Sequence, residues 1–236
     1  PRESYVSVSE LIADLRARRV EPLIWALVEA MTASETAFFR DKTAFDQFRS
    51  EILPRLVAAR RGGPIKIWSA ACASGQEAYS LAMLLSEESA KLEGQQVDLF
   101  ASDLSEACLE KARSGLYTQF EIQRGLPIRK LIAYFEKASD LWRISDRLRA
   151  GVRFEQHNLL KHPGQLGQFD IIMLVHVLPA FDTETRIAVL GRIAGALTPR
   201  GALLLGAGET LPQGCDSFTL ENGVARKRQA TRVAAA

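Results

Sequence analysis

Short apolar runs alternate with segments of helical period along most of this chain. IKIW at 65–68, VDLFAS at 97–102, VRFEQ at 152–156, FDIIMLV at 169–175 and GALLLGA at 201–207 have the length and composition of strands. Helical spacing fills 76–90, 104–113 and 183–197 between them. Apolar strands separated by helices predict an α/β fold whose mainly parallel sheet is covered on both faces. Before the first strand, Leu11 with Leu15 and then Leu23, Leu27 and Met31 recur at helical spacing and predict two short helices. A further helix is expected from Thr43, with Phe45, Phe48 and Ile52 on one face, closed by Pro54 and ARRGGP. The alternation breaks between Gly115 and Val152. There a helix-like IRKLIAYFEKA, then LWRI, then SDRLRAG predict a small insertion containing a hairpin.

Composition changes this picture little. A chain of 236 residues, 47% apolar and 25% charged, has material for one substantial core and a smaller appendage. A formal charge of +2 is too mild to argue for a nucleic-acid partner. Cys72, Cys108 and Cys215 are odd in number and share no C-x-x-C spacing, so neither a disulfide framework nor a metal site is expected. That usage fits a reducing compartment. The longest apolar runs fall far short of the ~20 residues that span a bilayer, and the N-terminus has no signal pattern. A cytoplasmic protein, not embedded in a membrane, is expected.

In an open parallel sheet, ligands sit beyond the carboxyl ends of the strands. ACASG, running from Ala71 to Gly75 after the first strand, has side chains small enough for a ligand to approach the main chain, or for helix to pack on strand. Two residues on stands Glu77. Ser74 and Glu77 have capping-box spacing, and a carboxylate in a first helical turn also repels pyrophosphate and attracts a cation. Asp103, at the tip of the second strand, is placed to accept ribose hydroxyls or to cap the next helix. Asn158 offers a donor and an acceptor to an adenine edge, or closes an Asx turn. Together they describe a nucleoside with a cationic, non-phosphate end, the shape of S-adenosylmethionine.

ETAFFRD at 35–41, IWSAACASGQEAYSLAMLL at 67–85, ASDLSEACLEKARSGLYTQFEIQRGLP at 101–127, VRFEQHNLL at 152–160, FDIIM at 169–173 and PRGALLLGAGE at 199–209 together resemble the CheR-type chemotaxis receptor methyltransferases, over nearly the whole chain. The resemblance implies a Rossmann-like methyltransferase sheet, an N-terminal helical segment and an inserted antiparallel subdomain. The expected division is 1–42 helical, as a truncated helical domain, 43–224 cofactor-binding with an insertion at about 115–152, and 225–236 a basic flexible tail. It implies S-adenosylmethionine as cofactor and S-adenosylhomocysteine as product. The family's contacts fall on Thr36, Arg40, Glu77, Asp103, Asn158 and Leu159, joined by Ala71 and Gly75 of the loop and by Val175 and His176 at the mouth. Thr36 and Arg40, four residues apart, are expected on one face of a helical turn. Arg40 would hold the cofactor's carboxylate or steer that of a substrate.

The chain also departs from the family. After the fourth core strand VHVLPAF replaces the usual Arg-Asn-Val-x-Ile-Tyr-Phe run: Val175 stands for the arginine, His176 for the asparagine and Ala180 for a tyrosine beside the reacting groups. Ser34 and Ala78 replace an asparagine and a proline. Arg40 and His176 are the catalytic candidates, His176 having a packed, hydrogen-bonded role as its alternative. The resemblance implies methyl-ester formation on glutamates of chemoreceptors, with impaired turnover. The alternative is a cofactor-binding regulatory relative acting through a protein partner. Chemoreceptor cytoplasmic helices or another signalling protein are the expected partners, docked through Arg16, Arg18 and Arg19. KASDLWRI lacks a glycine-rich extension, so no receptor-tail tether is expected.

Overall fold

A computed structural model describes residues 6–18, 21–31, 35–59 and 62–228. The chain forms two compact units, Pro1–Glu35 and Thr36–Ala236. The first holds helices α1 (Val8–Arg18) and α2 (Glu21–Met31). At the start of α1 the Ser7 hydroxyl accepts the Glu10 amide of the first turn at 3.2 Å, while the Glu10 carboxylate reaches back to accept the Val6 amide, just before the helix, at 2.8 Å. Leu11, Leu15, Leu23 and Leu27 are half-buried. Arg16 is exposed; Arg19, Ser34 and the side chains of Arg18 and Met31 lie outside the described residues.

The second unit is built on strands β1 (Ile65–Ala70), β2 (Val97–Asp103), β6 (Val152–Gln156), β7 (Phe169–Met173) and β8 (Leu197–Leu204), with β9 (Phe218–Glu221) and β10 (Val224–Lys227) at one edge. Their order is β6-β2-β1-β7-β8-β10-β9. The first five run parallel, and β10 pairs antiparallel with β8 and β9. Successive strand side chains point to opposite faces. Ile65, Ile67, Leu99, Ala101, Ile171 and Met173 therefore enter one core, and Trp68, Ala70, Phe100, Ile172 and Leu174 the other. The first core is covered by α3 (Lys42–Gln47), α4 (Leu53–Ala59), α5 (Gln76–Glu87) and α6 (Glu106–Ser114), the second by α10 (Thr183–Ala196).

The insertion carries a three-stranded antiparallel sheet, β3 (Leu116–Thr118), β5 (Leu141–Ile144) and β4 (Phe135–Ala138) in the order β3-β5-β4, with helices α7 (Gln119–Gln123), α8 (Ile128–Tyr134) and α9 (Asp146–Ala150). A hydroxyl ties it to the loop after β1: Tyr117 donates to the Ser74 carbonyl at 2.8 Å. Tyr79 of α5 donates to the Ala112 carbonyl of α6 at 2.7 Å.

Three expectations about elements are corrected. Pro54 does not close the helix begun near Thr43: a π-turn at Phe48–Ile52, with the Leu53 amide bonded to the Phe48 carbonyl, widens the coil just before the proline, and α4 continues to Ala59. IRKLIAYFEKA is not one helix, because FEKA is β4, paired residue for residue with LWRI. Residues 225–227 of the expected tail are strand β10, while 229–236 lie outside the described residues.

Candidate functional site

The parallel order reverses beside β1, which has β2 on one side and β7 on the other, and the crevice beyond the carboxyl ends there is where such sheets bind ligands. The loop leaving β1 alternates left-handed residues: Ala71 at φ 60, Ala73 at φ 47 and Gly75 at φ 88. Gly75 adopts this conformation without the Cβ penalty that Ala71 and Ala73 carry. Gly75 is a packing glycine, since a Cβ there would meet Ala112 Cβ at 2.8 Å. The loop amides already have partners within the protein. Cys72 donates to the Ser102 carbonyl at 2.9 Å, Ala73 to Asp103 Oδ2 at 2.8 Å and Gly75 to the Cys72 carbonyl at 3.0 Å. No phosphate-cradling nest is formed by these three.

Asp103 sits at the end of β2, buried, with one main-chain donor on each oxygen: Ala73 on Oδ2 and Ser105 on Oδ1 at 3.0 Å. It is not the cap of α6. Ser105 is, accepting the Cys108 amide at 3.2 Å. A carboxylate oxygen can accept more than one hydrogen bond. Glu77 is likewise not in a capping box: Gly75 is the N-cap of α5, the Ser74 hydroxyl bonds Gln76 Oε1 at 2.9 Å, and Glu77 Oε1 accepts the Ser69 hydroxyl at 2.7 Å. Part of the residue's surface remains accessible, yet the carboxyl is shielded. Burial raises its pKa from 4.5 to about 7; the Ser69 hydrogen bond opposes this, Asp41 adds to it, Arg40 opposes it and Glu209 adds to it. Asp41, Arg40 and Glu209 therefore act on Glu77 at the same mouth. Cys72, in the loop itself, is held protonated by burial and by the Asp103 and Glu77 charges.

Thr36 and Arg40 are not on a helix. Residues 35–37 and 40 are irregular, and Phe38–Phe39 form a turn with Phe39 at φ 50. The aromatic pair holds this turn. Phe38 is fully buried edge-on to Tyr117 (5.1 Å) and Phe135 (5.6 Å), the Phe39 amide donates to Ser80 at 3.0 Å, and Lys130 lies 5.0 Å over the Phe39 ring. Thr36 is half-buried and Arg40 exposed. Asn158 closes an Asx turn, accepting the Leu160 amide at 2.8 Å, and Leu159 packs at the rim of the second core. Val175 packs against the first core. His176, at φ 58, places Nε2 3.0 Å from Asp41 Oδ2 and donates its amide to Glu209 Oε2 at 2.9 Å.

Ser69, Asp41, Glu209 and Tyr117 were not singled out in the sequence. Asp41 and Glu209 lie inside the quoted ETAFFRD and PRGALLLGAGE, but only the fold brings them to Glu77 and His176.

A doubly wound sheet whose switch point holds two shielded carboxylates and committed loop amides defines an α/β nucleoside-binding domain suited to a cationic cofactor. The family model for the CheR methyltransferase, SAM binding domain, matches residues 34–226. The chain is 39% identical over 217 residues to the chemotaxis protein methyltransferase of Vibrio parahaemolyticus and to chemotaxis protein methyltransferase 1 of Vibrio cholerae, covering 91% of this chain and 78% of each relative. It is 39% identical over 209 residues to chemotaxis protein methyltransferase 1 of Pseudomonas aeruginosa, covering 87% of this chain and 76% of that one. The chain belongs to the CheR methyltransferase family, and S-adenosylmethionine is its cofactor.

Proposed function

We propose that this methyltransferase forms methyl esters on glutamate side chains of chemoreceptor cytoplasmic helices, in the cytoplasm, and does so slowly. The observation that carries the reading is the turn that bears Arg40, which Phe38 packs against the insertion and Asp41 bonds to the loop after β8, at the carboxyl end of the sheet. In this reading Asp103 accepts the ribose hydroxyls, Glu77 faces the cationic end, and Thr36, Ala71, Gly75, Asn158, Leu159 and Val175 complete the cofactor's surroundings. When bound, S-adenosylmethionine supplies a methyl carbon whose bonding electrons remain on sulfur as it is transferred.

The protein needs little acid–base chemistry for this. A glutamate has a reference pKa near 4.3 and is already an anion at neutral pH, so it attacks without a general base. Alignment and exclusion of water lower the barrier. Arg40 is suited to hold the incoming carboxylate. Val175 is half-buried and Ala180 exposed at the mouth, and neither offers a hydrogen bond to the reacting groups. These positions support weak turnover with a retained cofactor site. Arg16, Arg18 and Arg19 remain the proposed docking cations, and the two-residue link Ser139–Asp140 between β4 and β5 supports the absence of a tail tether.

The test is transfer of radiolabelled methyl groups to chemoreceptor cytoplasmic fragments, run beside calorimetric binding of the cofactor. Base-labile label on glutamates, accumulating slowly, is the expected result. Binding without label on any fragment would favour the regulatory reading.

A further inference from the structure

The bonds around His176 join three segments that are remote in sequence. Asp41, immediately after Arg40, caps α3 by accepting the Ala44 amide at 3.1 Å on Oδ1. Its Oδ2 accepts the Ala207 amide at 2.6 Å and lies 3.0 Å from His176 Nε2. Glu209 Oε2 accepts the amides of His176 at 2.9 Å and Gly206 at 2.5 Å. Both side chains pack on Gly206, where a Cβ would stand 2.6 Å from His176 Cε1 and 2.7 Å from Glu209 Oε2. Thus the loop after β7 and the loop after β8 both close on the residue next to Arg40. His176 holds this place at φ 58, a conformation that non-glycine side chains adopt at a cost and keep only where surrounding contacts enforce it.

We propose that His176 is a positioning residue, clamping the β7 loop to Asp41 and thereby fixing Arg40 at the cofactor mouth, with Asp41 and Glu209 as its two anchors. The inference rests on the proposed role of Arg40. It replaces direct participation of His176 in methyl transfer, because Nε2 is engaged with a buried carboxylate, Asp41, which is only 4% exposed. Only a proton on Nε2 lets the ring donate towards Asp41 Oδ2, 3.0 Å away. His176→Gln keeps an amide donor at a comparable reach, whereas His176→Leu keeps bulk and loses the donor. Both carry the same penalty at positive φ, so their comparison isolates the hydrogen bond.

Two measurements decide this. Calorimetry with S-adenosylmethionine on the full chain should show Kd raised at least about tenfold in His176→Leu, a change that corresponds to about 1.4 kcal/mol, and within about threefold of native in His176→Gln. Nitrogen-15 spectra of the native imidazole should show the Nε2–H tautomer, a signature available even if a variant fails to fold. Native affinity in His176→Leu, affinity in His176→Gln as poor as in the leucine variant, or an Nδ1–H tautomer overturns the clamp. A native chain that binds cofactor but labels no receptor fragment ends the substrate reading alone, because neither measurement involves a methyl acceptor.

Discussion

Glu77 is expected to tie cofactor binding to pH. Its folded pKa of about 7 lies above the ordinary 4.5, so between those values the folded protein retains a proton that the unfolded chain has released. Its burial therefore carries no stability penalty below about 4.5, an increasing one as pH rises towards 7, and the full one above. A cationic ligand stabilises the anion and lowers that pKa, so binding should expel a proton below pH 7. The expected Kd for S-adenosylmethionine is nearly constant from pH 7.5 to 8 and weakens by up to about tenfold between pH 7 and pH 6, the limit for one coupled proton. Glu77→Gln should flatten the profile and weaken binding at pH 8. Calorimetry across this range checks it, and an unchanged slope in the glutamine variant would remove Glu77 from the cation's contact. Asp103→Ala is expected to weaken cofactor binding by about 1–3 kcal/mol, the range for buried donors left without their acceptor. Part of that loss is conformational, since Ala73 then has no acceptor for its amide.

At the scale of elements, the link between α7 and α8 holds the turn that precedes Arg40. Gly125 lies at φ +94 with its Cα against the Phe38 carbonyl, so that an added Cβ would collide with backbone. Gly125→Ala should destabilise the protein by about 2 kcal/mol or more, from left-handed strain of roughly 1–2 kcal/mol plus the displaced turn. That corresponds to a fall in Tm of about 4–8 °C for a chain this long, measurable by scanning calorimetry, and cofactor affinity should fall with it. The five parallel strands and the helices between them were legible because buried strands read as continuous apolar runs. The β9–β10 hairpin carried a readable signal that went unused: Asn222–Gly223, at φ 52 and 80, is the Asn-Gly pair of a tight hairpin turn. FEKA was hidden for a different reason. Only one of its residues, Phe135, is buried, and its strand character comes from pairing with Leu141–Ile144 rather than from alternation. Thr36 and Arg40 have helical spacing, but the buried Phe38 and the left-handed Phe39 impose a turn that spacing alone does not reveal. The acidic residues beyond β1 and β2 were readable as positions, whereas their hydrogen-bond partners required the fold.

For the whole molecule, binding and turnover in the proposed reading draw on different parts of the sheet's rim. Glu77 and Asp103, after β1 and β2, stand in a hydrogen-bonded frame, whereas the segment after β7 presents Ala180 where the family resemblance places a tyrosine. That segment is nevertheless held in shape. Arg186 of α10 donates to the Phe181 carbonyl at 2.7 Å and to that of Pro179 at 3.3 Å, and the Phe181 amide closes a 3-10 turn on Leu178. A side chain added at 180 is therefore presented from a fixed backbone, and because Ala180 is exposed it displaces no core atom. Ala180→Tyr should raise the single-turnover rate of methyl transfer at saturating cofactor while leaving Kd for the cofactor within about twofold. If its hydroxyl bonds a charged group mainly in the transition state, the gain is about 1.5–3 kcal/mol, roughly ten- to a hundredfold. The single change is preferable to restoring Val175 and His176 as well, since His176→Asn would release Asp41 and mix two effects. A native chain that already transfers as fast as Ala180→Tyr would show the tyrosine dispensable and end the slow-enzyme reading; no transfer by either protein would leave cofactor binding as the site's function.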